Sequence, residues 1–110
     1  MKLPSYELTN SDLEACLFAL SQFPNVSKSS SDIQNLINTN LCISAQQKMR
    51  NREDLNVNEL RILCASIIYC NNVCHGDIDV DNETRKQITN YMFTLSKLET
   101  ILCDPIFQDK

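Results

Sequence analysis

The sequence predicts an all-α fold, a compact bundle of four to five helices forming a single domain over residues 1–110. Three observations carry that expectation. One glycine and three prolines leave too few turn-formers for the repeated hairpins of an all-β protein. Apolar residues recur at spacings of three and four, the pattern of helices with one buried side. Capping signals open several of these stretches. A chain of this length buries roughly two-thirds of its unfolded surface in one core, and 43 % hydrophobic with 22 % charged residues is ordinary for a globular domain.

The first helix is announced by Thr9 and Asp12, spaced so that each side chain satisfies the other's backbone amide, with Leu8 and Leu13 as an apolar staple around the start. Leu13, Cys16, Leu17 and Leu20 then fall on one stripe, and Pro24 is expected to end the helix soon after Phe23. Residues 25–31 are polar and serine-rich and read as a surface loop.

A second helix follows, carrying Ile33, Leu36, Ile37 and Leu41 as its apolar face and ending near Asn40. Ser44 to Gln47 has capping-box spacing, so residues 31–52 are either one helix or two. Leu55, Asn56, Glu59 and Leu60 give the clearest start, a capping box with its staple. The helix that begins there presents Leu60, Leu63, Cys64, Ile67, Ile68 and Cys74, is expected to be central, and stops at Gly76. Asp77 to Asp81 caps a last helix of about six turns with Ile88, Tyr91, Met92, Leu95, Leu98 and Leu102, ending before Asp104 and Pro105. Residues 1–7 and 105–110 are expected to be loosely ordered termini.

The starts at Leu8–Leu20 and Leu55–Ile67 align, but with no third copy the recurrence reflects shared capping chemistry and predicts no solenoid.

Composition excludes several classes of activity. Gly76 is the only glycine, so no glycine-rich phosphate loop exists. A net charge of −4 disfavours nucleic acid and anionic membranes as partners. No stretch approaches the length of a transmembrane helix; the apolar run from Ile62 to Cys70 is broken by Ser66. The opening twenty residues are interrupted by Glu7, Asp12 and Glu14, unlike a signal peptide. A cytoplasmic location is expected, with most of the six cysteines reduced core thiols that act as small hydrophobes.

Candidate chemistry is sparse. Cys70, Cys74 and His75 form the densest group of metal-ligand types, but a zinc site wants four ligands and His75 is the only histidine. A helix end containing cysteines explains them, and no metal or other cofactor is expected. Asp77, Asp79 and Asp81 echo the first half of a calcium loop, with Asn82 in the glycine position and Ile88 where the bidentate glutamate belongs, so helix capping is the expected role. Nucleophilic catalysis has room for one Cys–His pair, joining His75 to Cys16, Cys42 or Cys103 across the fold.

The expected function is therefore non-catalytic, an adaptor, inhibitor or regulatory subunit that binds another protein, with Phe18, Phe23, Tyr69, Phe93 and Phe107 as candidate contacts. The alternative is a helix-turn-helix DNA-binding regulator, in which Gln46, Gln47, Lys48, Arg50 and Arg52 line the recognition helix and residues 38–43 make the turn. Glu53 and Asp54 follow that segment at once, and an exposed solvated helix face is the better account of it.

Overall fold

Two reciprocal caps start the helices at the centre of the fold. The structure, a computed structural model, describes residues 2–3, 6–7, 9–26 and 32–103, with side chains over 9–23 and 32–101. Lys2–Leu3 (β1) and Tyr6–Glu7 (β2) pair antiparallel. They precede five α-helices: α1 Asn10–Val26, α2 Asp32–Arg50, α3 Val57–Cys74, α4 Asn82–Thr89 and α5 Met92–Leu98, which runs on into a π-helical turn, Glu99–Cys103. The bundle is all-α, and its radius of gyration of 13.1 Å is that of a compact chain of its length.

At the start of α1 the Thr9 amide donates to Asp12 Oδ2 at 3.2 Å and the Asp12 amide to Thr9 Oγ1 at 3.1 Å. At the start of α3 the Asn56 amide donates to Glu59 Oε1 at 2.9 Å and the Glu59 amide to Asn56 Oδ1 at 2.8 Å. Each pair satisfies two amides that a bare helix end leaves without partners. Asp81 caps α4 by accepting from the Thr84 amide.

Gly76 ends α3 as the sequence predicts. With φ +84° it lets its own amide reach Val73 and the Asp77 amide reach Asn72, closing the last carbonyls. Arg52 does the same for α2 at φ 61°, its amide bonded to Met49 and that of Glu53 to Lys48. An arginine there adopts a backbone that glycine enters at lower cost.

α3 is the central helix, packing on α1, α2, α4, α5 and the π turn. Its Leu63, Cys64, Ile67, Cys70 and Val73 meet Ala15, Cys16, Ala19 and Leu20 of α1, Cys42, Ala45 and Met49 of α2, and Leu95 and Leu98 of α5 in one core. Many of these side chains are Ala or Cys, small enough for the backbones to approach closely. Phe18 stacks on Tyr91 with centroids 4.5 Å apart, and Phe23 meets Tyr69 edge-on at 5.3 Å.

Two expectations are corrected. α1 does not stop at Phe23 but continues past Pro24 to Val26. Proline fixes a φ that suits a helix, and in the last turn it removes only one backbone hydrogen bond. The last helix is not one rod of six turns: it breaks at Asn90–Tyr91 into α4 and α5. Thr89 Oγ1 bonds back to the Arg85 carbonyl at 2.7 Å, which bends a helix, and Asn90 is a weak helix former. The break lets α4 pack on α3 while α5 reaches α1 as well. Where the sequence leaves residues 31–52 as one helix or two, α2 is continuous from Asp32 to Arg50.

Candidate functional site

α2 carries two apolar faces, and one of them meets solvent. At about 100° per residue, Cys42, Ala45 and Met49 lie within about 60° of one another on the helix wheel, and all three are buried. Ile33, Leu36, Ile37 and Ile43 lie on the opposite side with 73, 61, 46 and 47 % of their surfaces exposed. From Asp32 to Leu41 the helix is exposed or half-buried, and its fully buried residues lie in the second half. Residues 33–47 contain no Asp, Glu, Lys or Arg, in a chain that is 22 % charged. Ile33, Leu36, Ile37 and Ile43 thus make a neutral run of large aliphatic side chains that meets solvent.

The sequence pattern points to this helix but turns it the wrong way. Ile33, Leu36 and Ile37 read as the buried stripe, and they are exposed because smaller residues half a turn away meet α1 and α3; Leu41 is half-buried. Gln34 Nε2 donates to Asn38 Oδ1 at 2.9 Å and Thr39 Oγ1 to the Asn35 carbonyl at 2.8 Å, bonds that hold polar side chains along the helix.

The second half of α2 is fixed to α3 by a buried carboxylate. Glu59 accepts from Lys48 Nζ at 2.8 Å and from the hydroxyl of Ser44, besides closing the α3 cap. Burial pushes this carboxyl up, but the hydrogen bonds from Lys48, Ser44 and the Asn56 amide, with the Lys48 charge, hold it below its ordinary value. A carboxylate so stabilised is a weak base, so Ser44 beside it is an anchored hydroxyl rather than an activated nucleophile.

The basic segment is largely used inside the fold. Gln46 Nε2 donates to the Leu17 carbonyl at 3.1 Å, Lys48 pairs with Glu59, and Arg52 Nη2 reaches Asn10 Oδ1 at 3.3 Å. Gln47 and Arg50 are exposed. Residues 38–43 are helical, so the turn that a helix-turn-helix needs at that place does not form.

The aromatic candidates separate. Phe23 is buried, Phe18 and Tyr69 are half-buried against their ring partners, and Phe93 is 84 % exposed on α5. Phe107 lies outside the described residues.

Cys70 is buried, Cys74 half-buried and His75 exposed, and among the described residues no three His, Cys, Asp or Glu side chains come together as metal ligands. Asp77, Asp79 and Asp81 are exposed. Cys16, Cys42, Cys70 and Cys74 are free thiols. Burial, with the charges of Asp12 and Cys64 nearby, pushes Cys16 up to about 12. Burial with Cys74 nearby pushes Cys70 to about 12, and burial carries Cys42 to about 11 against a hydrogen bond with Ser66. Burial raises Cys74 as well, opposed by Thr89 and Arg85. Such thiols carry almost no thiolate at neutral pH, which suits packing and not nucleophilic attack. The pairing of His75 with Cys16 or Cys42 would need an exposed imidazole to reach buried sulfurs; the Cys103 side chain lies outside the described residues.

Among the described residues no helix is long and apolar enough to cross a membrane. The chain matches no protein-family model, no curated protein and no solved structure.

Proposed function

We propose that this chain is a small acidic protein-interaction module, an adaptor, inhibitor or regulatory subunit that works by docking the exposed face of α2 and performs no reaction of its own. The observation that carries the reading is that face: four large aliphatic side chains turned to solvent on a helix whose opposite side already supplies the core. Such a surface is costly to keep in water, and protein partners are what recognise it. Cysteines packed in the core without disulfides, such as Cys16, Cys42 and Cys70, suit a cytoplasmic location.

The test is capture from native lysate by the tagged full chain and by its Leu36→Glu/Ile37→Glu variant, each with and without nuclease. A specific protein retained by the wild type, unaffected by nuclease and lost with the variant, is expected. Retention indifferent to the two glutamates, or abolished by nuclease, overturns the proposal.

A further inference from the structure

We infer that Cys70 and Cys74, one turn apart at the end of α3, form a two-coordinate site for a soft monovalent cation, copper(I). The site is independent of the α2 face and adds ion binding to the reading of the chain as an interaction module.

Helix geometry is the first argument. Both cysteines belong to α3, which stays α-helical through Cys74. Residues four apart in an α-helix stand about 6 Å apart along its axis and about 40° apart around it, with Cβ atoms about 5–6 Å from one another. That is too far for a disulfide, which needs Cβ atoms about 3.5–4.5 Å apart. An ion between the sulfurs suits the spacing. Two metal–thiolate bonds of about 2.3 Å in line hold the sulfurs about 4.6 Å apart, a span the side chains cover while the helix keeps its hydrogen bonds.

Placement is the second. Cys70 is fully buried and Cys74 is half-buried on the last turn, so the ion enters past Cys74 and comes to rest against the core. Among the described residues no third His, Cys, Asp or Glu joins the pair, which leaves a tetrahedral ion such as zinc short of ligands. Thiolates select copper(I) among the ions that remain.

Charge is the third. Each sulfur gives up its proton to water as its bond to copper forms, so two thiols and one copper(I) yield a singly negative bis-thiolate complex and two protons. Arg85 supplies the balancing charge. Its guanidinium is fixed at the end of α3, with Nη1 donating to the carbonyl of Val73, the residue before Cys74, and Nη2 to that of Ile78 at 3.2 Å. A neutral assembly is what a partly buried site tolerates. Burial opposes ionisation of both thiols, so only a cation with high affinity for sulfur displaces their protons.

The full chain is titrated anaerobically with copper(I) held by a chromophoric chelator that competes for it. Expected is one ion retained per chain, lost in Cys70→Ser and in Cys74→Ser and kept in Cys42→Ser, whose thiol lies on α2. Cys74 is at the surface end of the pair, so its variant keeps the wild-type circular dichroism spectrum. Two measurements on the wild-type chain hold even if Cys70→Ser does not fold. Copper(I) protects Cys74 from alkylation in peptide mapping, and X-ray absorption finds two sulfurs about the copper. No ion retained against the chelator, retention by Cys74→Ser equal to wild type, Cys74 alkylated equally fast with and without copper, or three or more sulfurs about the ion overturns the inference.

Discussion

Replacing Glu59 tests whether one carboxylate holds α2 against α3. Its side chain is 3 % exposed and accepts from Lys48 at 2.8 Å, from the Asn56 amide at 2.9 Å and from Ser44. Glu59→Ala removes all three bonds. A hydrogen bond to a charged group contributes about 1.5–3 kcal/mol. Lys48 is one-third exposed and Asn56 is exposed, so water replaces part of what each loses. The expected cost is about 3 kcal/mol, a large part of the roughly 5–15 kcal/mol that stabilises an ordinary domain. Glu59→Gln keeps an acceptor and nearly the same shape, and loses about 1 kcal/mol with the charge. The folded-state pKa lies below its ordinary value of 4.5. The charge-dependent part is therefore complete above that value and disappears as pH falls through the lowered one. Urea unfolding followed by far-ultraviolet circular dichroism, between roughly pH 7 and pH 3, measures both quantities. The gap between wild type and Glu59→Gln should close toward acid. A constant gap, or an Ala variant within about 1 kcal/mol of wild type, refutes the assignment of Glu59 as the anchor.

Lys97 Nζ lies 2.7 Å from the fully buried Asp12 carboxylate, so Lys97→Met should cost about 2 kcal/mol in urea unfolding, reduced from a fully buried pair because Lys97 is half exposed. Gly76→Ala should destabilise by about 1 kcal/mol from backbone strain alone, since an added Cβ at φ +84° meets no atom within 4 Å. Arg52→Gly should stabilise by about 0.5 kcal/mol in the same assay by relieving φ 61° at the end of α2. In a Cys103→Ser background at pH 7, a thiol reagent should modify Cys74 first and leave Cys16, Cys42, Cys64 and Cys70 protected until urea unfolds the chain; simultaneous modification of all five would contradict their burial.

Helix starts were legible because capping is local chemistry. Thr9 with Asp12, Asn56 with Glu59, and Asp81 each act within three residues, and Gly76 needs only its own φ. The centrality of α3 was legible too, since Leu63, Cys64 and Ile67 fall on one strong stripe. What failed depends on contacts far along the chain. Nothing near Pro24 announces that Phe23 finds Tyr69, and nothing near Asn90 announces that Tyr91 stacks on Phe18 across a separation that redirects α5. The basic segment looked like a recognition helix because a sequence does not show that Glu59 waits for Lys48.

The candidate site was missed for a related reason, and the reason bears on what the site does. Hydrophobicity ranks side chains by size, so Ile33, Leu36 and Ile37 outweigh Cys42 and Ala45 in any pattern. Packing in a small bundle follows another rule: helices approach most closely where side chains are small, and α1 offers Ala15, Cys16 and Ala19 to meet them. Once that face is satisfied, the large aliphatics have no place left in the core. Their exposure then has no structural use inside the single chain, and replacing them with Lys, Glu or Gln would improve helix propensity and solubility together. The stability of the single chain therefore does not account for these four exposed side chains.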